Sequence, residues 1–250
     1  MTSLALRALR ALVAGIIAVV PCALSAQSPP EVRPIVRASD ALILASAGVG
    51  VAALVPRLDV EITSWLRQPA LQRHDALRYA MAGFRMFGDP GSELLATAMW
   101  GGGRLSGDRA TAFDGQRSVE AMIVSGVVTL AIKGIAGRAR PFVDSTNATD
   151  FKLSRGFGGF LGLGGNAPYQ SFPSGHTTAA FAFASSITAS VRRRSPRDAG
   201  WLGPLLYGVA ALTGVSRIYN HQHWASDVLM GAGIGTVGGL VVDRWHERHP

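Results

Sequence analysis

The chain has 250 residues, enough for one domain with a sizeable core. Hydrophobic residues make up 48% and charged residues only 16%, below the roughly 25% of an ordinary soluble domain, which points to a membrane. The net charge of +8 comes almost wholly from arginine, with no dense basic block interleaved with aromatics. Anionic lipid or anionic small substrates therefore suit the charge, and nucleic acid is set aside as a partner.

In chain order, residues 1–26 resemble a secretory signal or a first membrane helix. Arg7 and Arg10 precede the apolar run Ala11–Val20, and Ala23-Leu24-Ser25-Ala26 is a small-residue cleavage zone. The single cysteine, Cys22, lies in this leader, so a processed chain has no thiol for a disulfide or a cysteine metal site. Residues 27–40, with three prolines up to Arg37, read as a linker. Residues 41–250 then form one domain.

Ala41–Val55 is an uncharged apolar run ended by Pro56. Arg57–Arg117 carries many arginines among apolar residues. Amphipathic helices are expected near Val60–Trp65, Ala70–Phe87 and Ser92–Met99, with breaks at Asp89-Pro90-Gly91 and Gly101-Gly102-Gly103. Glu120–Ala136 is apolar with one charge near each end. Arg138–Pro173 is a long loop with a glycine-rich portion; it reads either as a lid, with Phe157, Phe160 and Leu163 touching lipid or substrate, or as a connector. Thr177–Val191, Trp201–Val215 and Trp224–Val242 are helix-like and rich in Ala, Gly and Ser, which suits close packing in a membrane. Each uncharged core is about 15 residues, short of the ~20 that spans a bilayer comfortably.

If Ala41–Val55 and the four later apolar segments span, the whole of Arg57–Arg117, Arg192–Arg197 and the tail fall on one side. The positive-inside rule makes that side cytoplasmic and puts loops 138–174 and 217–223 on the periplasmic side. Arg138, Arg140, Lys152 and Arg155 then need another reason to be outside, and substrate phosphate is a candidate.

Three short stretches carry chemistry. Lys133 and Arg140 stand seven residues apart, two helical turns, before Pro141; both share a face if the helix continues. Pro173-Ser174-Gly175-His176 opens an apolar helix. Ser174 can cap it, the N–H groups of Gly175 and His176 can face an anion, and His176 can donate a proton. Arg217, His223 and Asp227 close the set: His223 and Asp227 at i and i+4 share a helix face, and Arg217 can hold a phosphate through its fork of donors. Each stretch alone is also compatible with a plain helix end. His221, two before His223, makes only a thin metal pair.

Together and in this order, Lys-x6-Arg-Pro, Pro-Ser-Gly-His and Ser-Arg-x5-His-x3-Asp resemble the type 2 phosphatidic acid phosphatase superfamily, which includes bacterial class A acid phosphatases and vanadium haloperoxidases. Every motif position matches, over roughly residues 118–242. The resemblance implies an all-α helical bundle with about five or six membrane or membrane-like helices and the site at one end. It implies His223 as nucleophile, forming a phosphohistidine, with Asp227 orienting it and His176 as general acid. It implies Lys133, Arg140, Arg217, Ser174 and the N–H of Gly175 as the phosphate cradle, and no metal or other cofactor. The substrate expected is a phosphorylated lipid or a small phosphate ester. The enzyme is then a membrane phosphatase with a periplasm-facing site, a soluble periplasmic acid phosphatase or a vanadate-dependent haloperoxidase. A non-catalytic anion-binding protein is the reading outside enzymes. Oligomeric state is not legible.

Overall fold

The computed structural model describes residues 34–55, 57–159 and 168–249. The leader and the segment holding Phe160 and Leu163 lie outside the described residues. The described chain is almost wholly helical: α1 (Ala38–Leu54), α2 (Leu58–Leu66), α3 (Pro69–Gln72), α4 (Asp75–Met86), α5 (Ser92–Ser106), α6 (Arg109–Ala136), α7 (Gly175–Arg194), α8 (Pro196–Tyr219) and α9 (Ala225–Arg248). One isolated β-bridge, Arg138 with Phe151, interrupts this pattern.

The apolar cores read from the sequence sit inside longer helices. At 24 residues each, α8 and α9 are about 36 Å long, and α6 at 28 residues is about 42 Å, against a hydrocarbon thickness of ~30 Å. Among the described residues three helices, α6, α8 and α9, are long and apolar enough to cross a membrane, or four if the bent pair α1–α2 counts as one span. Ile123, Val127 and Leu130 on α6, Trp201 and Leu205 on α8, and Leu42 and Val49 on α1 turn outward and stay exposed. An apolar belt of this kind matches lipid rather than water.

α9 is the central post. Gly231, Gly235 and Gly239, one turn apart, let α7 press against it. A Cβ at Gly235 would meet the Thr178 carbonyl oxygen at 2.3 Å, and one at Gly239 the Ser185 hydroxyl at 1.8 Å. Small residues at such a seam trade side-chain volume for backbone approach, the usual route to tight packing between membrane helices. Phe181, Ile218, Val228 and Ala232 fill the core beside it.

The triple glycine 101–103 does not break a helix; it lies within α5, which ends at Gly107 in the left-handed conformation (φ 78°). A Cβ at Gly103 would lie 2.5 Å from the Ala112 nitrogen, so glycine there permits the tight α5–α6 turn. α6 starts at Arg109, not near Glu120, because Asp108 caps it by accepting from the Thr111 N–H.

These corrections change the topology. α1 starts beside the tail, where Arg244 donates to Asp40 at 2.7 Å. α2 to α4 lie at the opposite end, where Asp59 meets Arg138. α5 returns to the tail end, where Arg194 on α7 pairs with Asp114 on α6. Six helices, α1 and α5 to α9, thus run the length of the bundle. Arg57–Arg117 does not stay on one side: residues 57–91 lie at the Lys133 end and residues 104–117 at the tail end. The extra pass along the bundle was hidden because α5 holds Glu93 and three glycines. A topology reporter fused within 67–74 should therefore report the same side as one fused within 143–150, and the opposite side from one fused after Val191. The sequence reading puts the 67–74 reporter with Val191 instead, so the experiment separates the two arrangements.

Candidate functional site

The end of the bundle opposite the tail holds a cleft of about 770 Å³. Lys133, Arg140, Gly175, His176, Arg217 and His223 line it, drawn from four separate stretches of chain. α6 delivers Lys133 on its last turn. The helix then stops at Gly137, left-handed at φ 53°, where a Cβ would collide with the Lys152 carbonyl oxygen at 1.9 Å. Lys133 and Arg140 therefore do not share a continued helical face. The chain turns at Gly137, and Arg140 reaches the cleft from the loop.

Lys133 Nζ donates to the carbonyl oxygens of Gln170 and Pro173, both at 2.7 Å, which pins the segment leading into α7. Arg140 Nη1 donates to Gln222 Oε1 at 2.5 Å. The Nε groups of Arg140 and Arg217 are buried without a protein partner. Three cations thus converge where, among the described residues, no carboxylate pairs with any of them, an arrangement that suits an anionic ligand. Gly175 adds its backbone N–H at the head of α7. Ser174 does not cap that helix through its side chain. Its buried hydroxyl accepts from Thr177 Oγ1 at 2.9 Å and its N–H donates to the Asp227 carbonyl at 3.0 Å. Ser174 is structural support beneath the cleft, not a lining residue.

His223 is 2% exposed, and its Nδ1 sits 2.7 Å from the Ser171 carbonyl oxygen. A carbonyl only accepts, so Nδ1 carries the proton and Nε2 keeps its lone pair for the cleft. Asp227 stands 3.6 Å from Nδ1, too far for a hydrogen bond. Its Oδ2 instead accepts from Ser171 Oγ at 2.5 Å and from the Trp224 N–H at 2.8 Å. Asp227 thus reaches the ring only through Ser171: the carboxylate accepts from the Ser171 hydroxyl, and the Ser171 carbonyl contacts the ring. Burial, then the charges of Lys133, Arg140 and Arg217, hold the His223 imidazole well below its ordinary value.

Arg138 does not serve substrate phosphate. It is fully buried and donates to Asp227 Oδ1 at 2.6 Å, Asp59 Oδ2 at 2.7 Å and the Ala148 carbonyl. Burial opposes its charge, but Asp227 and Asp59 outweigh that and hold it above the ordinary arginine value. Ser226 completes the knot, donating to Asp59 from both Oγ and its N–H. Lys152 and Arg155 are likewise spent within the loop, on and over Tyr169. Phe157 packs against Gly134 at the end of α6.

Arg85, Met86 and Asp89, from α4 and the turn after it, line the cleft opposite the motifs. Sequence reasoning did not single them out, nor Ser171 or Asp59. The turn signal Asp89-Pro90-Gly91 was visible, but nothing local showed that it abuts His176. His221 lines a neighbouring cleft of about 640 Å³ with Arg67 and Asn220 instead of joining His223. Among the described residues no three His, Cys, Asp or Glu side chains group for a metal.

A helical bundle with an apolar belt and, at one end, a buried imidazole in a cleft lined by three cations defines a membrane-type protein with a cleft suited to an anion. The chain belongs to the PAP2 superfamily, whose family model matches residues 117–250. A lipid A 1-phosphatase of Porphyromonas gingivalis is 49% identical over 70 residues, 28% of this chain and 15% of that protein. Lipid phosphate phosphatase 1 of Arabidopsis thaliana is 33% identical over 129 residues, 47% of this chain and 39% of that protein. The chain thus spans less than half the length of these curated relatives. Among solved structures, a transmembrane PAP2 type phosphatidylglycerolphosphate phosphatase from Bacillus subtilis superposes with a TM-score of 0.62 at 20% identity. That likeness covers 84% of this chain and 97% of the other, and it supports the all-α fold.

Proposed function

We propose that the protein is a membrane phosphatase that removes a phosphoryl group from a lipid phosphomonoester or pyrophosphate through a phosphohistidine on His223. The observation that carries this reading is the bond from His223 Nδ1 to the Ser171 carbonyl, which leaves Nε2 as a nucleophile within the three-cation cleft. The relatives named as lipid phosphatases and the apolar belt support a lipid over a soluble ester.

In the first step His223 Nε2 attacks phosphorus and the P–O bond to the leaving group breaks. The electron pair stays on the leaving oxygen, which takes a proton from His176. In the second step water attacks the phosphohistidine, gives a proton to His176 and releases phosphate, so both histidines return to their starting states. Lys133, Arg140 and Arg217 neutralise the equatorial oxygens, where charge is spread during phosphoryl transfer. Ser174 and Asp227 act from beneath, holding the head of α7 and Ser171. We place the cleft on the periplasmic face, since Arg192, Arg193, Arg194, Arg197 and Arg248 gather at the tail end. Cations at the site end, Arg67, Arg73 and Arg78 among them, make this asymmetry smaller than a sequence-based topology implies.

The test is phosphate release by the purified, detergent-solubilised protein from lipid phosphates and from p-nitrophenyl phosphate, with rapid-quench trapping of a phosphoenzyme. Release from soluble esters alone would remove the lipid from this reading. Arg217→Lys keeps the charge but loses the planar fork, and should lower kcat by on the order of tenfold, one charge-assisted hydrogen bond. A raised KM at unchanged kcat would assign Arg217 to ground-state binding instead.

The pH dependence has a defined sign. His223 must be neutral to attack, and its depressed value keeps it neutral in the folded protein below the ordinary imidazole value of about 6.5. The acid limb of kcat/KM should therefore lie below pH 6.5. Stability follows the same group. Above pH 6.5 its contribution is fully present; on acidification the unfolded chain takes up a proton the folded chain refuses, and stability is lost. His223→Gln should flatten that acid loss in thermal unfolding.

A further inference from the structure

We propose that Asp89, in the turn between α4 and α5, is the positioning carboxylate of His176 and sets its proton for the leaving group. The inference rests on the phosphatase reading above and adds a residue outside the matched family region, 117–250. Two observations carry it independently. The first is the contact itself: Asp89 Oδ2 lies 3.9 Å from His176 Nε2. At that distance the carboxylate attracts a charged imidazole without capturing its N–H in a hydrogen bond, so the proton stays available to a leaving oxygen.

The second is how the turn is held there. Gly88 presses against His176 and α8: a Cβ would lie 2.5 Å from Thr213 Cγ2 and 3.0 Å from His176 Cβ. Thr213 Oγ1 donates to the Phe84 carbonyl at 3.0 Å and ties the end of α4 to α8. The next residue, Asp89, is thereby aimed along the cleft wall even though its side chain is 61% exposed.

Charge balance gives this carboxylate its use. Among the described residues the ionisable groups lining the cleft are Arg85 from α4, Lys133 from α6, Arg140 and His223 from loops, Arg217 from α8 and His176 itself, with Asp89 as their single acid. A general acid must be charged at the moment of transfer, and every other neighbour works against that charge. Bound phosphate offsets the cations around the phosphoryl group. Asp89 acts on the other side of His176, toward the leaving group. It touches no reacting atom and acts only through His176.

The experiment compares wild type, Asp89→Asn and Asp89→Glu on an alkyl phosphate and on p-nitrophenyl phosphate, with full pH profiles in detergent. An alkoxide leaving group needs the proton and nitrophenolate hardly does. Asp89→Asn should lose on the order of tenfold in kcat on the alkyl ester, with KM little changed, and far less on the nitrophenyl ester. Its alkaline limb should move down by about one pH unit, the effect of removing one opposite charge at this range. Asp89→Glu should restore part of both. Equal losses on the two esters, or an alkaline limb that stays in place, would overturn the inference, because a merely structural role predicts those results. A wild-type protein that releases no phosphate from any ester would overturn the phosphatase reading and this inference with it.

Discussion

His223→Ala should abolish phosphate release on every ester and leave no phosphoenzyme to trap. The expectation is total because no other nitrogen in the cleft has its geometry. His223 is buried, its ring is fixed by the Ser171 carbonyl, and its bare Nε2 faces the space among Lys133, Arg140 and Arg217. His176 does not substitute: it stands at the head of α7 beside Asp89, and the proposed mechanism uses it as the acid. Removing the imidazole takes away the attacking atom, whereas removing one cation takes away one charge-assisted contact of about 1.5–3 kcal/mol, or on the order of ten- to a hundredfold. The variant should still fold and still bind inorganic phosphate, since the cations remain. A phosphoenzyme trapped in His223→Ala would move the nucleophile elsewhere and refute the mechanism.

Arg138→Met should be the most destabilising single change in this end of the molecule. It leaves Asp59 and Asp227 buried and unpaired, and removing one partner from such a cluster costs about 3–5 kcal/mol. The thermal midpoint in detergent should drop by on the order of ten degrees. Activity should fall as well, because Asp227 holds Ser171, and Ser171 holds His223. Asp59→Asn in the Arg138→Met background removes one of the stranded charges and should recover part of the midpoint. A variant as stable and active as the wild type would show that Arg138 is not the keystone of the site. Arg140→Met is the control: it removes a cleft cation without stranding a carboxylate. It should lower activity with little change in midpoint.

The difference between these two arginines was not legible from their spacing. Arg138 and Arg140 stand two residues apart in one basic turn, and either suits a phosphate. Only the fold brings Asp59, 79 residues upstream, against one of them and not the other. The same limit explains Asp227. Its distance in sequence from His223 places both on one helical face, but α9 begins at Ala225, so His223 precedes the helix and turns to the Ser171 carbonyl. Sequence spacing along a helix assigns neighbours correctly only where the helix exists.

What the chain determined by itself was a set of candidate phosphate-site residues and the all-helical class of fold. Three motifs with set internal spacings name Lys133, Arg140, Gly175, His176, Arg217 and His223, and all six line one cleft. Local rules sufficed because each motif marks a helix end, where capping, turn chemistry and charge are short-range effects. The tertiary structure alone decided the path of the chain across the bundle, the relay through Ser171, the burial of Arg138 and the approach of Asp89 to His176. Each of these depends on contacts between residues distant in sequence. They follow from close packing at the Gly231-Gly235-Gly239 seam and at Gly88, where absent side chains let backbones meet, and no local pattern records which surface a glycine will face.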